Sequence, residues 1–144
     1  MQLEPYLFFT GNCEEALNFY KGVFGGDIEG LSRWKEMPPD SGGPPATPET
    51  ENRIMHASFK SPGVSFMASD ASPGKTYGEG SISLSLNTTD VAETERVFNA
   101  LSAGGKVEMP LTDMFWGGRF GMLTDKFGID WMVNCMKEQA VASN

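Results

Sequence analysis

The fold of this chain is decided by residues 5–26, which read PYLFFTGNCEEALNFYKGVFGG. The apolar run at residues 5–10 predicts a buried strand, and Gly11-Asn12 predicts a turn with Asn12 as the N-cap of a helix. Apolar residues recur through that helix at three- and four-residue spacing, as expected for one buried helical face. Gly25-Gly26 predicts the end of the helix, because glycine readily adopts the left-handed conformation of helix C-termini.

Three further strands are predicted after this helix, at about residues 28–35, 53–60 and 64–69. The segment at residues 37–52 contains five prolines, which cannot donate the hydrogen bonds of a sheet, so it predicts a mobile loop. The order of elements is therefore β-α-β-β-β. Residues 71–80, with their glycines and proline, predict a connector.

The same order repeats after the connector. Residues 81–86 alternate apolar and polar side chains, which predicts a strand with one buried face, and Asp90 predicts the cap of the next helix. Under shifts of 79 and 65 positions the two halves agree at the pairs Phe19 and Phe98, Gly25 and Gly104, and Met67 and Met132. Such agreement indicates an internal duplication.

The duplication predicts an α+β fold, with one domain over residues 1–144 built from two βαβββ units at residues 1–70 and 79–137. A length of 144 residues is typical of a single domain. Each unit has one apolar sheet face and one apolar helix face, so two units should pack together. We expect curved sheets around a ligand-sized cavity.

Composition excludes several classes of partner. The chain has 19 acidic and 11 basic residues, and no basic run that would neutralise the phosphates of a nucleic acid. No stretch of about 18 apolar residues predicts a membrane span, and the N-terminus lacks the pattern of a secretory leader. We expect no nucleic-acid or membrane partner and a cytoplasmic location.

The two cysteines, Cys13 and Cys135, are too far apart in sequence for a CxxC motif, and free thiols are expected. Cys13 falls in the first turn of the first helix, where the helix dipole would lower its pKa. No neighbouring histidine or basic residue supports a role for it as a nucleophile.

Three stretches resemble a known family: residues 5–20, 54–57 and 115–128, which read PYLFFTGNCEEALNFY, IMHA and FWGGRFGMLTDKFG. The chain resembles the PhnB-like branch of the vicinal oxygen chelate superfamily, the group of glyoxalase I, bleomycin-resistance proteins and extradiol dioxygenases. The resemblance spans nearly the whole chain and implies a homodimer. It implies no particular reaction, because this fold hosts many.

The resemblance also implies where a metal would bind. Enzymes of the superfamily hold one divalent ion through His, Gln or Glu on the first and last strands of each unit. Those positions are expected at Pro5, Met67, Ser83 and Met132, and a shift of one residue would bring in Glu4. A thioether is too soft for Mg, Mn or Fe, and Glu4 alone lacks partners. We predict a site with no metal and no cofactor.

His56 is the single histidine of the chain. Strand alternation places it with Ile54 and Ser58, opposite Ala57 and Phe59, so we expect it to face the cavity. There it would donate a hydrogen bond or act as a general acid or base, because histidine changes charge nearest to neutral pH. The alternative is a structural histidine bonded to backbone or to a partner subunit.

Arg119 is predicted to share the cavity face with Leu123. Its guanidinium would clamp an anionic ligand such as a carboxylate, phosphate or phosphonate. The alternative is an ion pair with an acidic residue of the chain, such as Asp113 or Asp125.

Phe115 and Trp116 precede two glycines at the expected mouth of the cavity, where their rings would stack on a planar ligand. The alternative for both is the core or a dimer seam. We also expect Met67, Met132 and Phe9 to line the cavity, although methionines commonly just fill gaps in a core.

Two functions remain open at this point, and a third possibility is a scaffold whose apparent cavity is closed by its own side chains. The first is a metal-independent protein, analogous to bleomycin-resistance relatives, that binds a small aromatic or anionic molecule. The second is an enzyme, a metal-dependent lyase, isomerase or dioxygenase of the superfamily type or a metal-free one that uses His56. Members of this branch often carry a ubiquinone methyltransferase label, but no G-x-G-x-G loop follows a strand here, so we do not expect that activity.

Overall fold

Both copies of the predicted βαβββ pattern are present in the structure, a computed structural model that describes residues 1–38, 45–75, 77, 80–115 and 117–136. The α+β fold class is therefore confirmed. Residues 39–44 of the predicted proline-rich loop, and Trp116, lie outside the described residues.

The chain divides into two compact units, Met1–Tyr77 (unit 1) and Gly78–Asn144 (unit 2). Unit 1 contains β1 (Tyr6–Phe9), α1 (Cys13–Phe24), β2 (Asp27–Arg33), a 3₁₀ turn (Trp34–Glu36), β3 (Ile54–Ser61) and β4 (Val64–Asp70). Unit 2 contains β5 (Leu84–Thr88), α2 (Val91–Ser102), β6 (Lys106–Asp113), β7 (Gly118–Thr124) and β8 (Asp130–Met136).

Each unit has its own four-stranded mixed sheet, in the order β1-β4-β3-β2 for unit 1 and β5-β8-β7-β6 for unit 2. The first strand of each unit pairs in parallel with the last, and the other pairings are antiparallel. The two sheets thus repeat one topology, which is what the internal duplication predicts. Among the described residues, no helix has the length and apolar character that a membrane crossing requires.

In unit 1, α1 packs against β3 and β4. Phe59 and Phe66 stack with ring centroids 5.0 Å apart, and Tyr20 of α1 meets Phe66 edge-on at 5.6 Å. All three side chains are buried, and burial of one large apolar side chain stabilises the fold by about 1.5–3 kcal/mol. Strand alternation therefore gives this sheet one face against α1 and another away from it, which we call the distal face.

In unit 2, α2 packs against its sheet with almost no clearance. Gly121 of β7 lies below Phe98 of α2, and a Cβ atom at Gly121 would come within 2.7 Å of the Phe98 ring. Leu123 on the same side of β7 is buried, as are Trp131 and Val133 of β8. The face of this sheet that carries Arg119, Gly121 and Leu123 is therefore the one that meets the helix.

Two strand boundaries differ from the prediction. The second strand ends at Arg33 rather than near Lys35, because Trp34–Glu36 form a 3₁₀ turn. The first strand of unit 2 spans Leu84–Thr88 rather than residues 81–86, so it begins three residues later.

The caps of the two helices have different origins. The prediction for Asp90 is confirmed, because its Oδ1 accepts a hydrogen bond from the Glu93 backbone N–H at 3.1 Å. Asn12 occupies the N-cap position of α1, as predicted, but its side chain makes no capping hydrogen bond. Asp70 of β4 instead accepts from the N–H of Cys13, so a residue distant in sequence supplies the capping hydrogen bond.

Candidate functional site

The distal face of unit 1 carries the candidate site. Tyr6 and Phe8 of β1 alternate with Leu7 and Phe9, which are buried on the α1 side. The register places Tyr6 beside Met67 of β4. A row of side chains from neighbouring strands therefore points away from the helix.

Four rings on or beside this face form what we call the aromatic cluster: Tyr6, Phe8, His56 and Tyr77. The ring centroids of Tyr6 and Phe8 lie 4.9 Å apart, and Phe8 stacks on Tyr77 at 5.4 Å. Phe8 is 48% exposed and Tyr77 is 42% exposed, so two stacked rings remain open to contact. Offset and tilted arrangements at these separations are the favourable ones for aromatic rings.

His56 belongs to the cluster through Tyr6. The Tyr6 hydroxyl lies 3.1 Å from His56 Nδ1, within hydrogen-bond distance, and the two ring centroids are 5.8 Å apart. His56 lies on the strand face opposite buried Ala57 and Phe59, as the alternation predicts. Its functional role stays a prediction.

The register corrects the positions expected for a metal. Tyr6, not Pro5, lies opposite Met67, and Ser85, not Ser83, lies opposite Met132. The reason is that Pro5 and Ser83 precede their strands in sequence.

In unit 1 the corrected side chains are a phenol and a thioether, and in unit 2 they are a hydroxyl and a thioether, with no imidazole or carboxylate among them. Each pair offers one oxygen ligand, whereas a typical site for a divalent metal uses about three nitrogen or oxygen ligands. In the described ranges, no group of three or more His, Cys, Asp or Glu residues is arranged to hold a metal ion.

Arg119 makes an ion pair with a helix residue, and its predicted role in holding a ligand stays a prediction. Arg119 shares its face of β7 with Leu123, as predicted, but that face meets α2. Its Nη1 lies 2.6 Å from Glu95 Oε1 on that helix, and its Nε is buried without a hydrogen-bond partner. The alternative, an ion pair with an acidic residue, is observed, but the partner is Glu95 of α2 rather than Asp113 or Asp125.

The two partners suggested for Arg119 have other positions. Asp113 lies directly across from it in the β6–β7 ladder. Asp125 accepts hydrogen bonds from the backbone N–H groups of Phe127 and Ile129 and from the indole of Trp131.

The other predicted site residues fall in different environments. Phe9 is 2% exposed and lies on the α1 side of β1, so its expected place at a ligand surface is wrong. Phe115 is 99% exposed just before β7 and takes no part in the core. Met67 and Met132 are half-buried on the faces of their sheets away from the helices. Trp116 lies outside the described residues.

Cys13 is a buried thiol with raised rather than lowered pKa. Its side chain has no solvent exposure, and desolvation, with smaller contributions from the charges of Asp70 and Glu14, raises its pKa to about 12. The expectation from the helix dipole is therefore wrong, because burial and the adjacent carboxylates outweigh the positive end of the helix. A thiol that keeps its proton is a poor nucleophile.

Two cavities of unit 1 lie apart from the aromatic cluster. One of about 560 Å³ is lined by polar groups including Asn12, Glu49 and Arg53. The other, of about 270 Å³, is lined by residues that include Trp34 and Pro73. Neither of these two cavities is lined by a member of the aromatic cluster.

Sequence reasoning missed Tyr6, Phe8 and Tyr77 as candidate site residues. The first two lie in the run Tyr6–Phe9, where every side chain is apolar or aromatic, so no alternation shows which residues face the helix. Tyr77 was assigned to the connector. The only signal for it is an aromatic ring in an otherwise small and polar segment.

Known proteins are similar to this chain over nearly its whole length. Residues 1–134 match the family described as 3-demethylubiquinone-9 3-methyltransferase. Protein YjdN of Escherichia coli (strain K12) is 35% identical over 144 residues, which cover 96% of this chain and 98% of YjdN.

Solved structures are also similar to this chain over nearly its whole length. Protein PA1353 from Pseudomonas aeruginosa is 42% identical with a TM-score of 0.83, over 96% of this chain and 99% of that one. The PhnB protein from Bacillus cereus is 30% identical with a TM-score of 0.76, over 94% and 99% of the two chains.

More distant structures share the fold alone. These are FosX, a fosfomycin resistance protein from Listeria monocytogenes, at 11% identity and a TM-score of 0.66, and a glyoxalase/bleomycin resistance protein/dioxygenase from Nocardioides, at 19% and 0.51. The chain therefore belongs to the PhnB-like family described as 3-demethylubiquinone-9 3-methyltransferase, with the glyoxalase/bleomycin resistance/dioxygenase fold of the vicinal oxygen chelate superfamily.

Proposed function

We propose that this protein binds a small, planar, partly aromatic molecule without a metal, and that the ligand lies against the distal face of unit 1. The observation that carries the proposal is the aromatic cluster. Exposed Phe8 and Tyr77 are stacked on each other, and the Tyr6–His56 hydrogen bond lies beside them.

The exposed rings of the aromatic cluster support a planar, partly aromatic ligand. Aromatic pairs contribute about 0.5–1.5 kcal/mol beyond the area that they bury, so a planar ligand gains from each ring it covers. Clustered exposed apolar side chains on a soluble domain commonly mark a binding surface. A polar group next to the rings, here His56, would orient the ligand.

The donor set supports binding without a metal. The positions at which we expect superfamily enzymes to hold a cation carry Tyr6 and Met67 in unit 1 and Ser85 and Met132 in unit 2, and each pair offers few ligands for a divalent metal. Elemental analysis of protein purified without chelator should find Mn, Fe, Ni and Zn each far below one ion per chain. One equivalent of any of them, retained through dialysis, would contradict the proposal.

We do not propose S-adenosylmethionine as a cofactor. The turn between β1 and α1 has no run of glycines, and its N–H groups at Gly11 and Cys13 already donate to the Asp70 carboxylate. Those amides are the groups that would receive an anion at a helix N-terminus. Titration calorimetry should show no binding of S-adenosylmethionine, and micromolar binding would overturn this view.

A thermal-shift screen of aromatic metabolites tests the binding function directly, because a ligand that binds only the folded state raises the melting temperature. Phe8→Ala should abolish the shift produced by any hit. Phe115→Ala is the matched control, because Phe115 is also an exposed phenylalanine but lies outside the cluster. Equal loss in both variants would contradict binding at the cluster.

A second candidate is an enzyme that uses His56 as a general acid or base. The observation in its favour is that His56 shares a face with exposed aromatic rings and is held by a hydroxyl group. Once a ligand is identified, incubation with wild type and His56→Gln would separate turnover from binding. Product formation that depends on His56 would favour the enzyme, and unchanged ligand would favour the binding protein.

We also propose a homodimer in the cytoplasm. Strands β1, β2, β5 and β6 lie at sheet edges, which offer unpaired backbone groups to another chain. Sedimentation at micromolar concentration should give twice the mass of 15.7 kDa, and a monomer mass would reject the dimer. Cell fractionation tests the location.

A further inference from the structure

The hydrogen bond between Tyr6 and His56 determines which nitrogen of the imidazole is available to a ligand. The Tyr6 oxygen lies 3.1 Å from His56 Nδ1, so that nitrogen is already engaged. The bond can run in two directions. Either the phenol donates to Nδ1, or Nδ1–H donates to the phenol oxygen.

The chemistry of the two groups favours the first direction. A phenol O–H is a stronger acid than the N–H of a neutral imidazole, and an imidazole nitrogen is a stronger base than a phenol oxygen. The bond should therefore run from the Tyr6 O–H to a bare Nδ1. A neutral imidazole that accepts at Nδ1 must carry its proton on Nε2.

The other nitrogen has no partner in the described part of the chain. No residue there forms a hydrogen bond with Nε2, and His56 is only half-buried. Nε2 is therefore the nitrogen left for a ligand, beside the rings of the aromatic cluster.

We propose that Tyr6 is a positioning residue that fixes His56 as an Nε2–H donor, and that the ligand carries a hydrogen-bond acceptor on its ring, such as a carboxylate or carbonyl oxygen. This inference rests on the proposed function. A ligand that presents a donor instead would face Nε2–H, and it could bind only after the Tyr6 bond was lost.

The tautomer can be measured without any ligand. The chain has one histidine, so a long-range proton–nitrogen correlation spectrum of ¹⁵N-labelled protein contains a single imidazole pattern. At mildly alkaline pH the wild type should show protonated Nε2 and bare Nδ1. Tyr6→Phe should give a mixture of tautomers. Tyr77→Phe, which removes the other hydroxyl of the cluster, should leave the pattern unchanged.

The ligand class can be tested with two probes of similar shape, benzoate and benzylamine. Benzoate only accepts hydrogen bonds and the benzylammonium ion only donates them. A benzylammonium group would place its N–H donors against the Nε2–H donor of His56, which leaves both without an acceptor. We therefore predict that benzoate binds at least about tenfold more tightly than benzylamine. Tyr6→Phe should weaken benzoate binding only by the fraction of His56 that leaves the Nε2–H tautomer, about twofold for an even mixture.

The outcomes separate this inference from the proposed function. An Nδ1–H tautomer in the wild type, an unchanged tautomer in Tyr6→Phe, or a preference for benzylamine would each overturn the inference while leaving an aromatic site in place. Failure of both probes to bind at millimolar concentration, with the Nε2–H tautomer present, would contradict the aromatic site itself and with it the ligand class inferred here.

Discussion

Asp70 Oδ1 accepts a hydrogen bond from the backbone N–H of Cys13 at 2.9 Å, so the last residue of β4 caps the first turn of α1. The same oxygen accepts from Gly11 at 2.9 Å, and Oδ2 accepts from the N–H of Ile54 at 2.9 Å. One buried carboxylate thus joins the start of the helix to two neighbouring strands of the unit 1 sheet.

We predict that Asp70→Ala lowers the free energy of unfolding by about 3 kcal/mol or more, because it leaves three backbone donors without an acceptor. Urea unfolding followed by circular dichroism measures the change. Asp90→Ala is the control, since the Asp90 side chain satisfies one exposed donor and its loss should cost about 1 kcal/mol. Equal losses of unfolding free energy in the two variants would contradict the prediction that the three hydrogen bonds of Asp70 stabilise unit 1 more than the single cap of Asp90 does.

Cys13 should make stability fall at alkaline pH. Its pKa is about 12 in the folded protein against 9.0 for an ordinary thiol, so the native state holds the proton more tightly. The contribution is complete below about pH 9 and is lost as the pH rises towards 12, by at most about 1.4 kcal/mol per pH unit. Unfolding measured from about pH 8 to 10 should have a steeper downward slope in wild type than in Cys13→Ala. Identical slopes would contradict the burial effect.

Gly121 should tolerate no side chain. Gly121→Ala would place a methyl group 2.7 Å from Phe98 and 3.1 Å from the backbone of Leu111, so we predict a loss of about 1–3 kcal/mol. Gly22→Ala is the opposite case, because this helical glycine has nothing within 4 Å of the added atom. That variant should gain up to about 1 kcal/mol from helix propensity. The melting temperatures of both variants test these predictions. An unchanged melting temperature for Gly121→Ala would show that α2 can move away from the sheet.

The ion pair of Arg119 with Glu95 should contribute little. The two side chains are about a quarter and a half exposed, and such pairs are worth less than about 1 kcal/mol. A double-mutant cycle with Arg119→Met and Glu95→Gln measures the coupling. Neither variant should change the binding of a ligand to the aromatic cluster, and loss of binding in Arg119→Met would restore the ligand-clamping role that the sequence suggested.

The fold could be predicted from the sequence because its signals are redundant. Helical spacing, paired glycines and the shift between halves all indicate the same βαβββ order. The site could be predicted only where polar and apolar residues alternate. His56 lies between buried Ala57 and half-buried Met55, on the opposite strand face from Ala57, and its place in a ligand site stays a prediction.

Phe9 and Arg119 show where that approach fails. Phe9 lies in a strand with no polar residue to mark the exposed side, so nothing local distinguishes it from Phe8. Arg119 shares a face of β7 with Leu123, as alternation predicts, but its contact with Glu95, a helix residue 24 positions away, appears in no local pattern. Capping by Asp70 depends in the same way on a contact distant in sequence, which no local pattern contains.

The two sheets share one topology but carry different chemistry at equivalent positions. Tyr6 and Phe8 of unit 1 correspond to Ser85 and Asn87 of unit 2, because each pair lies beside the last strand in the same register. Unit 1 therefore presents aromatic rings where unit 2 presents a hydroxyl and an amide group. A ligand selected by ring stacking would accordingly prefer the first unit over the second.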